Sequence, residues 1–388
     1  MALILQTMLE RGPLSKAQIA RLTGLSKSSV SALISAINTI RSCPLIVEES
    51  TLRGGLGRPA TVLVLDAGAV SVLGASVYVD HVDLVQVDLA GKVTSRRRND
   101  FSRTTGSDLV KRLLEALQDE RTPNVIALGV CVPGIVDMNK GSVSVALELA
   151  WHQLPVASLV ERETSLPCLV MNLSAAGAFD DSQSTGTDSL VRLFVGTSVG
   201  AGVIYSGEVV AGYHHQAGEL GHVRVKASGG RSCRCGQFGC LEAEVNCDAV
   251  TTCLNERGFE PSTGCGYEGL ARAERERPAA AAQVRRKLVR LIAEGLTPTM
   301  RLMDPQTVAL GGHIACLSPC FVRELSQELR RRRLDGSGVP NVRFSLADPA
   351  TGVARYALNH LAPNILIYGS GTSLHRPMLH TRPRHAES

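Results

Sequence analysis

Between Ala217 and Glu242 the chain reads AGELGHVRVKASGGRSCRCGQFGCLE, and no other stretch constrains the fold as tightly. His222 is followed by Cys233, Cys235 and Cys240 in a glycine-rich segment, with Glu219 and Glu242 on either side. A structural zinc ion takes four nitrogen and sulfur ligands in a tetrahedron, and one histidine with three cysteines completes that set. The Cys-x-Cys spacing brings two thiolates together, and Gly236 and Gly239 let the loop wrap an ion without Cβ clashes. Buried structural thiols sit in apolar runs, whereas these sit in a polar turn. The expectation is one structural zinc per chain, held by His222, Cys233, Cys235 and Cys240.

With 388 residues the chain suits two or three domains rather than one small core. The net charge of +5 permits nucleic-acid binding without arguing for it. No apolar run approaches a membrane span, and Met1–Leu9 lacks a signal peptide's basic start and cleavage site. Eleven cysteines in a chain this long fit a metal site in the cytoplasm better than a disulfide framework.

The N-terminal segment predicts three helices. Residues 2–10 have helical apolar spacing and stop at Gly12-Pro13. Ser15 with Gln18 forms a capping-box pattern, and the helix it opens ends at Thr23-Gly24. Ser26 caps a longer helix with Leu25, Val30, Leu33, Ile34 and Ile37 inward. Two helices joined by a short glycine turn make a helix-turn-helix, or a plain helical hairpin, and periodicity does not separate the two. The following VEESTLRGGLGRPATVLVLD reads as strand, basic glycine-rich tip and strand, which is a wing and favours DNA. Ser26, Lys27, Ser28, Ser29 and Ser31 on the second helix are short or basic and able to approach phosphates and base edges. Arg53 and Arg58 at the tip could reach a minor groove or flanking phosphates. Beyond Asp66, strands alternate with helices, which indicates α/β lobes.

AGELGH…CRCGQFGCLE resembles the signature of the ROK family, repressors and sugar kinases with an actin/hexokinase-like fold; GPLSKAQIARLTGLSKSSVS and GRPATVLVLD resemble the DNA-binding domain of its repressors. The resemblance implies an α/β two-lobed, actin/hexokinase-like (ribonuclease H-like) body behind an N-terminal winged helix-turn-helix. On it, residues 1–65 form the head, 66–187 with 353–370 the first lobe, 188–352 the second lobe with the zinc, and 371–388 a disordered tail. It also implies sugar contacts at Glu219, His222 and Glu242, and a homodimer or homotetramer.

Three departures bear on activity. Where family kinases carry the D-x-G-G-T turn for ATP phosphates, this chain has Ser76-Val77-Tyr78-Val79-Asp80. Where they carry an Asn-Asp pair whose aspartate takes the sugar proton, it has Asn172-Leu173, and leucine accepts no proton; a shifted alignment would bring in Asp180 or Asp181. Glu148 stands for an Asn that meets a sugar hydroxyl, and Glu accepts without donating. Asn172 and Glu148 therefore join the ligand-contact candidates, and Trp151 is either a pocket wall or a core residue. The expected function is a non-enzymatic DNA-binding transcriptional regulator, a repressor of carbohydrate-related genes, whose partners are a double-stranded DNA operator and a sugar or sugar-derivative effector. The alternatives are an ATP-dependent sugar kinase, or a regulator answering to a non-sugar ligand or a protein partner.

Overall fold

The computed structural model describes residues 1–39, 44–51, 60–259, 264–333 and 338–369. It divides into two units, one built from Met1–Leu173 with the C-terminal helix, the other from Ser174–Asp348.

The first unit opens with α1 (Ala2–Arg11), α2 (Lys16–Thr23) and α3 (Lys27–Thr39). The capping box forms as expected: the Gln18 amide donates to Ser15 Oγ, and Gln18 Oε1 accepts the Ser15 amide at 2.9 Å. Gly24 ends α2 in a left-handed conformation at φ 71°. Val30, Ile34 and Ile37 are the buried face of α3, while Leu25 and Leu33 pack at its margin. Asn38 then fixes the exit from α3. Its Oδ1 accepts from the Leu45 and Ile46 amides, and its Nδ2 donates to the Ile46 carbonyl at 2.7 Å. Strands β1 (Ile46–Thr51) and β2 (Ala60–Leu65) pair antiparallel, Ile46 opposite Leu65 and Thr51 opposite Ala60. The tip between them lies outside the described residues.

The rest of this unit runs β3 (Ser71–Val77), β4 (His81–Asp88), β5 (Val93–Asp100), α4 (Gly106–Asp119) and β6 (Val125–Val132). A small antiparallel sheet follows, β7 (Ile135–Asp137), β8 (Ser142–Ala146) and β9 (Trp151–Leu154), then α5 (Val156–Thr164) and β10 (Cys168–Asn172). The main sheet has the order β10-β6-β3-β4-β5, with β10, β6 and β3 parallel and β3, β4 and β5 an antiparallel meander. Its β5 edge carries Arg96, Arg97 and Arg98, and charges of this kind protect an open edge from pairing with another chain.

The second unit takes α6 (Leu173–Thr185) from Ser174 onward, then β11 (Leu190–Val195), β12 (Val199–Tyr205) and β13 (Glu208–Val209). After the cysteine-rich loop come α7 (Leu241–Val245), α8 (Cys247–Asn255), α9 (Gly266–Glu276) and α10 (Pro278–Met303). Strand β14 (Thr307–Gly312), α11 (Pro319–Arg331) and β15 (Asn341–Phe344) complete it. The sheet order β13-β12-β11-β14-β15 repeats that of the first unit: a meander, then two parallel strands added beside its first strand. Arg285 of α10 bridges Glu274 of α9 and Glu324 of α11 at 2.9 and 2.8 Å. The arginines closing α11 are likewise engaged, Arg331 with Glu328 and Arg333 with Asp304.

The last helix, α12 (Pro349–Tyr368), returns to the first unit. Alternate residues of β3 face opposite sides. Leu73, Ala75 and Val77 join the α4 side, while Val72 and Gly74 face α12. A Cβ on Gly74 would stand 2.2 Å from the Ala350 carbonyl oxygen, and one on Gly129 2.6 Å from that of Val353, so the helix backbone lies directly on the sheet. The helix also packs against α1, and Ile4, Leu5 and Met8 share one buried cluster with Leu358, Leu361 and Ile365. Gly74→Val drives a branched side chain into main-chain atoms that have no rotamer to move to. We expect a loss of about 3 kcal/mol or more, read as a lower urea midpoint of the transition that melts the α1–α12 core.

Candidate functional site

The loop between β13 and α7 brings the four predicted metal ligands together. The ligand atoms of His222, Cys233, Cys235 and Cys240 all lie within 4.8 Å of one another. His222 Nδ1 is 3.6 Å from Cys233 Sγ, and the Cys235 and Cys240 sulfurs are 3.8 Å apart. A tight turn makes this possible: the Cys233 amide donates to the Gln237 carbonyl at 2.8 Å and the Gly236 amide to the Cys233 carbonyl at 3.0 Å. Gly239 follows at φ 71°, and a Cβ there would stand 2.3 Å from the Lys226 carbonyl oxygen, so only glycine closes the loop.

The protonation chemistry of the cluster calls for a cation. Burial, then the Cys235 thiol beside it, pushes the Cys240 thiol up to about 12, and burial raises Cys233 as well. At Cys235 burial also opposes ionisation, but hydrogen bonds from the Gln237 amide, Cys233 and Cys240 outweigh it and lower its pKa. Burial, with the neighbouring sulfurs, thus resists ionisation at two of the three cysteines. A divalent ion reverses that balance, and the donor set of one nitrogen and three sulfurs fits a closed tetrahedral site.

Glu219 and Glu242 take up positions on either side of this loop. His222 turns its second nitrogen, Nε2, toward Glu219 Oε2 at 3.7 Å, the arrangement by which a carboxylate orients a metal-binding imidazole. Burial raises the Glu219 pKa; His222 opposes that rise and Glu242 adds to it. Glu242 is buried near the start of α7, accepts the Val199 amide at 3.0 Å and pairs with Arg234 Nε at 3.0 Å. Arg234 also donates to the Thr197 carbonyl at 3.1 Å, in the Gly196–Ser198 turn between β11 and β12. That turn is closed by the Gly196 amide on the Ser198 carbonyl at 2.9 Å.

Two positioning residues escape a sequence reading. Arg234 sits between two metal-ligand cysteines and reads as part of that motif. Glu244, 1% exposed, accepts the Arg231 amide at 2.7 Å and pairs with Lys226 at 2.6 Å, which anchors the loop from beneath. Its position two residues after Glu242 gives no cue to which acid faces which way.

The first unit holds the other candidates. Asn172 ends β10 and donates its Nδ2 to the Gly134 carbonyl at 2.7 Å. Glu148 lies half-buried in a single 3-10 turn, Leu147–Leu149. Trp151 is a core residue and not a pocket wall, being 2% exposed with its indole donating to the Gly106 carbonyl at 2.9 Å. At the position of the kinases' phosphate turn, β3 and β4 form a tight hairpin closed by the Tyr78 amide on the His81 carbonyl at 2.9 Å. His81 stacks on Tyr78 and lies between Asp80 (2.7 Å) and Asp83 (3.4 Å). Burial pulls its pKa down, but the hydrogen bonds to Asp83 and Asp80 outweigh it, and the net shift is upward.

Leu173 stands at the first position of α6. The two acids that a shifted alignment would bring in are committed elsewhere. Asp181, 2% exposed, pairs with Arg192 at 3.2 Å and Arg343 at 2.8 Å and accepts the Ser345 hydroxyl at 2.6 Å. Asp180 accepts the Asp348 amide at 3.0 Å. Both carboxylates are thus engaged by internal partners.

In the head, Ser26, Lys27, Ser28, Ser29 and Ser31 are all exposed, but not equivalent. Ser26 Oγ caps α3 by accepting the Ser29 amide at 3.1 Å and also bonds the Ser28 and Ser29 hydroxyls. Arg53 and Arg58 lie outside the described residues, as does the 371–388 tail. One expectation is revised: two cysteines do bond, Cys247 with Cys265, because the fold brings together the starts of α8 and α9, eighteen residues apart in sequence.

Comparison with known proteins places this geometry. The ROK family profile matches residues 73–353. The xylose repressor of Bacillus subtilis is 24% identical over 92% of this chain and 94% of its own. A solved ROK family transcriptional regulator, described as a homolog of the E. coli MLC protein, superposes with a TM-score of 0.80 at 22% identity, covering 95% of this chain and 98% of its own. The ROK hexokinase of Thermus thermophilus superposes with a TM-score of 0.63 at 26% identity, over 74% of this chain and 97% of its own. The fold is the α/β actin/hexokinase-like one. Among the described residues no helix is long and apolar enough to cross a membrane.

Two outcomes are expected. Cys235→Ser should lower bound divalent metal, measured by elemental analysis, together with the yield of folded protein; metal-free protein of full stability would refute the centre. His81 has its folded pKa raised, so the stability it contributes is fully present below its unfolded pKa, about 6.5, and is lost as pH rises through the folded value. His81→Gln should therefore destabilise the protein at pH 5.5 more than at pH 8.5 in thermal melts.

Proposed function

The chain belongs to the ROK family, and from that premise we infer that it is a transcriptional repressor of sugar-related genes whose kinase-like body senses a ligand without phosphorylating it. The observation that carries this reading is the pairing of Leu173, where a proton-accepting carboxylate is required, with Asp180 and Asp181 locked into structural contacts. The hairpin at Tyr78–His81 supports it independently, since the D-x-G-G-T turn is replaced by bulky and acidic residues. The coverage of full-length repressors, head included, agrees with it.

On this reading residues 1–65 are the DNA-binding head, 66–187 with 353–370 the first lobe, and 188–352 the second. Helix α3 lies in the major groove of a double-stranded operator. Lys27, Ser28, Ser29 and Ser31 approach phosphates and base edges, Ser26 sets the helix start, and Arg53 and Arg58 serve the wing. A homodimer, or a homotetramer built from it, reads a pseudo-palindromic site. His222, Cys233, Cys235 and Cys240 hold one structural zinc, which fixes the loop carrying Glu219 and Glu242. Glu219, His222 and Glu242 contact a sugar or sugar derivative, and Glu148 and Asn172 are separate ligand-contact candidates of the first unit. The ligand acts by linkage: it binds one arrangement of the protein better and thereby shifts operator affinity. The cytoplasm is the compartment this function requires.

Incubation with ATP and a panel of hexoses, pentoses and amino sugars should give no saturable phosphorylation. Turnover abolished by Glu242→Gln would replace the sensor reading by the kinase one. Thermal shifts with sugars and sugar phosphates test the ligand class, and silence across the panel would move the proposal to a non-sugar ligand or a protein partner. Lys27→Ala should weaken operator binding about tenfold and reduce the slope of log affinity against log salt by about one; an unchanged slope removes Lys27 from the phosphate contacts.

A further inference from the structure

Behind the Gly196–Ser198 turn lies a second group of ligand-type side chains that the repressor reading does not use. The ligand atoms of Cys247, Cys265 and His313 lie within 4.8 Å of one another. They come from separate elements: Cys247 is the first residue of α8, Cys265 the N-cap of α9, and His313 opens the 3-10 turn that follows β14. Each sulfur thus stands at a helix N-terminus, where the helix dipole favours a thiolate over a thiol. Glu268, in the first turn of α9, lies 3.7 Å from His313 Nδ1 and adds a negative charge beside the cluster. Cys247 is buried, whereas His313 is exposed enough for an ion to enter from solvent. The site also touches the neighbouring turn, since the Cys247 amide donates to the Gly196 carbonyl at 2.9 Å.

We propose that Cys247, Cys265 and His313 form a second metal centre, distinct from the His222 cluster, which takes zinc when the Cys247–Cys265 disulfide is reduced and is closed when it is oxidised. The ligand set of two thiolates and one imidazole, with the fourth position left to water, is one that zinc accepts. The chemistry balances. A dithiol reductant supplies two electrons and two protons, the Cys247–Cys265 bond breaks to two thiols, and the reductant leaves as its own disulfide. Zinc then binds both sulfurs and releases the two thiol protons. Disulfide and metal exclude each other because they use the same sulfur electron pairs. The turn at Gly196 is thereby held in either state, by a covalent bond between α8 and α9 or by an ion that adds His313 to the clamp.

The test uses full-length protein, treated either with a dithiol reductant and zinc or with oxidised glutathione and zinc, each passed into metal-free buffer. Zinc per chain is measured by elemental analysis and free thiols by titration. The reduced form should hold about one zinc more than the oxidised form, with two more free thiols once the metal is chelated. His313→Ala leaves the disulfide able to form, so it should melt like wild type when oxidised yet lose the extra zinc when reduced. Cys265→Ser should lose it in both conditions. Cys235→Ser separates this centre from the His222 cluster: the difference between reduced and oxidised zinc content should persist there even if total zinc falls. Equal zinc in reduced and oxidised wild type, or an undiminished increment in both His313→Ala and Cys265→Ser, overturns the proposal.

Discussion

The rest of the first unit depends on the contact of α12 with its sheet at main-chain distance. Glycines at 74 and 129 remove the side chains that would hold the helix away, and the carbonyls of Ala350 and Val353 fill the space. The helix is buried on its other side too, against α1. One apolar helix therefore joins head and sheet in a single core, and the three-helix head shares its hydrophobic cluster with β3, β4 and β6 rather than closing on itself. A head of this size buries little apolar surface alone. Borrowing α12 supplies the missing core, and it makes the position of α1 answerable to the position of the C-terminal helix.

In the second unit the same sheet order is held by a different device. Two buried charges, Arg192 and Asp181, meet inside the fold, and Arg343 and Ser345 also bind the carboxylate. Gly177 and Gly311 stand where a Cβ would come within 2.7 and 2.4 Å of the Arg192 guanidinium, which leaves room for it. Removing one partner of such a network strands a buried charge, so these residues are constrained together. That commitment ties up the acids nearest in sequence to Leu173, Asp181 in this network and Asp180 on the Asp348 amide. The carboxylates that remain available, Glu219 and Glu242, are tied to the metal loop and to the Gly196–Ser198 turn, through His222 on one side and Arg234 on the other. The cysteine-rich loop and these two carboxylates are thus parts of one hydrogen-bonded system.

Much of this was written locally. The capping box at Ser15, the left-handed Gly24 and the period-3.6 face of α3 are decided within a few residues by backbone sterics and short-range hydrogen bonds, and each forms where the sequence predicts it. The metal cluster was legible for a related reason: three of its four ligands lie within eight residues, so their spacing alone carries the geometry. The substitution at Leu173 could also be read directly, because a hydrocarbon side chain cannot accept a proton in any fold.

Other features were settled only when distant segments met. Trp151 fits a pocket wall as well as a core until its indole is seen on the Gly106 carbonyl. The choice between Glu242 and Glu244 as the acid beneath the loop, the loss of Asp181 to Arg192 and Arg343, and the joining of Cys247, Cys265 and His313 all depend on pairings that no local pattern encodes. The sequence by itself determined the chemistry each residue can perform and the short-range turns that present it. The tertiary structure decided which of those groups are spent on holding the fold and which remain to meet a ligand, because burial and long-range contact, not residue type, set what a charge or a thiol is free to do.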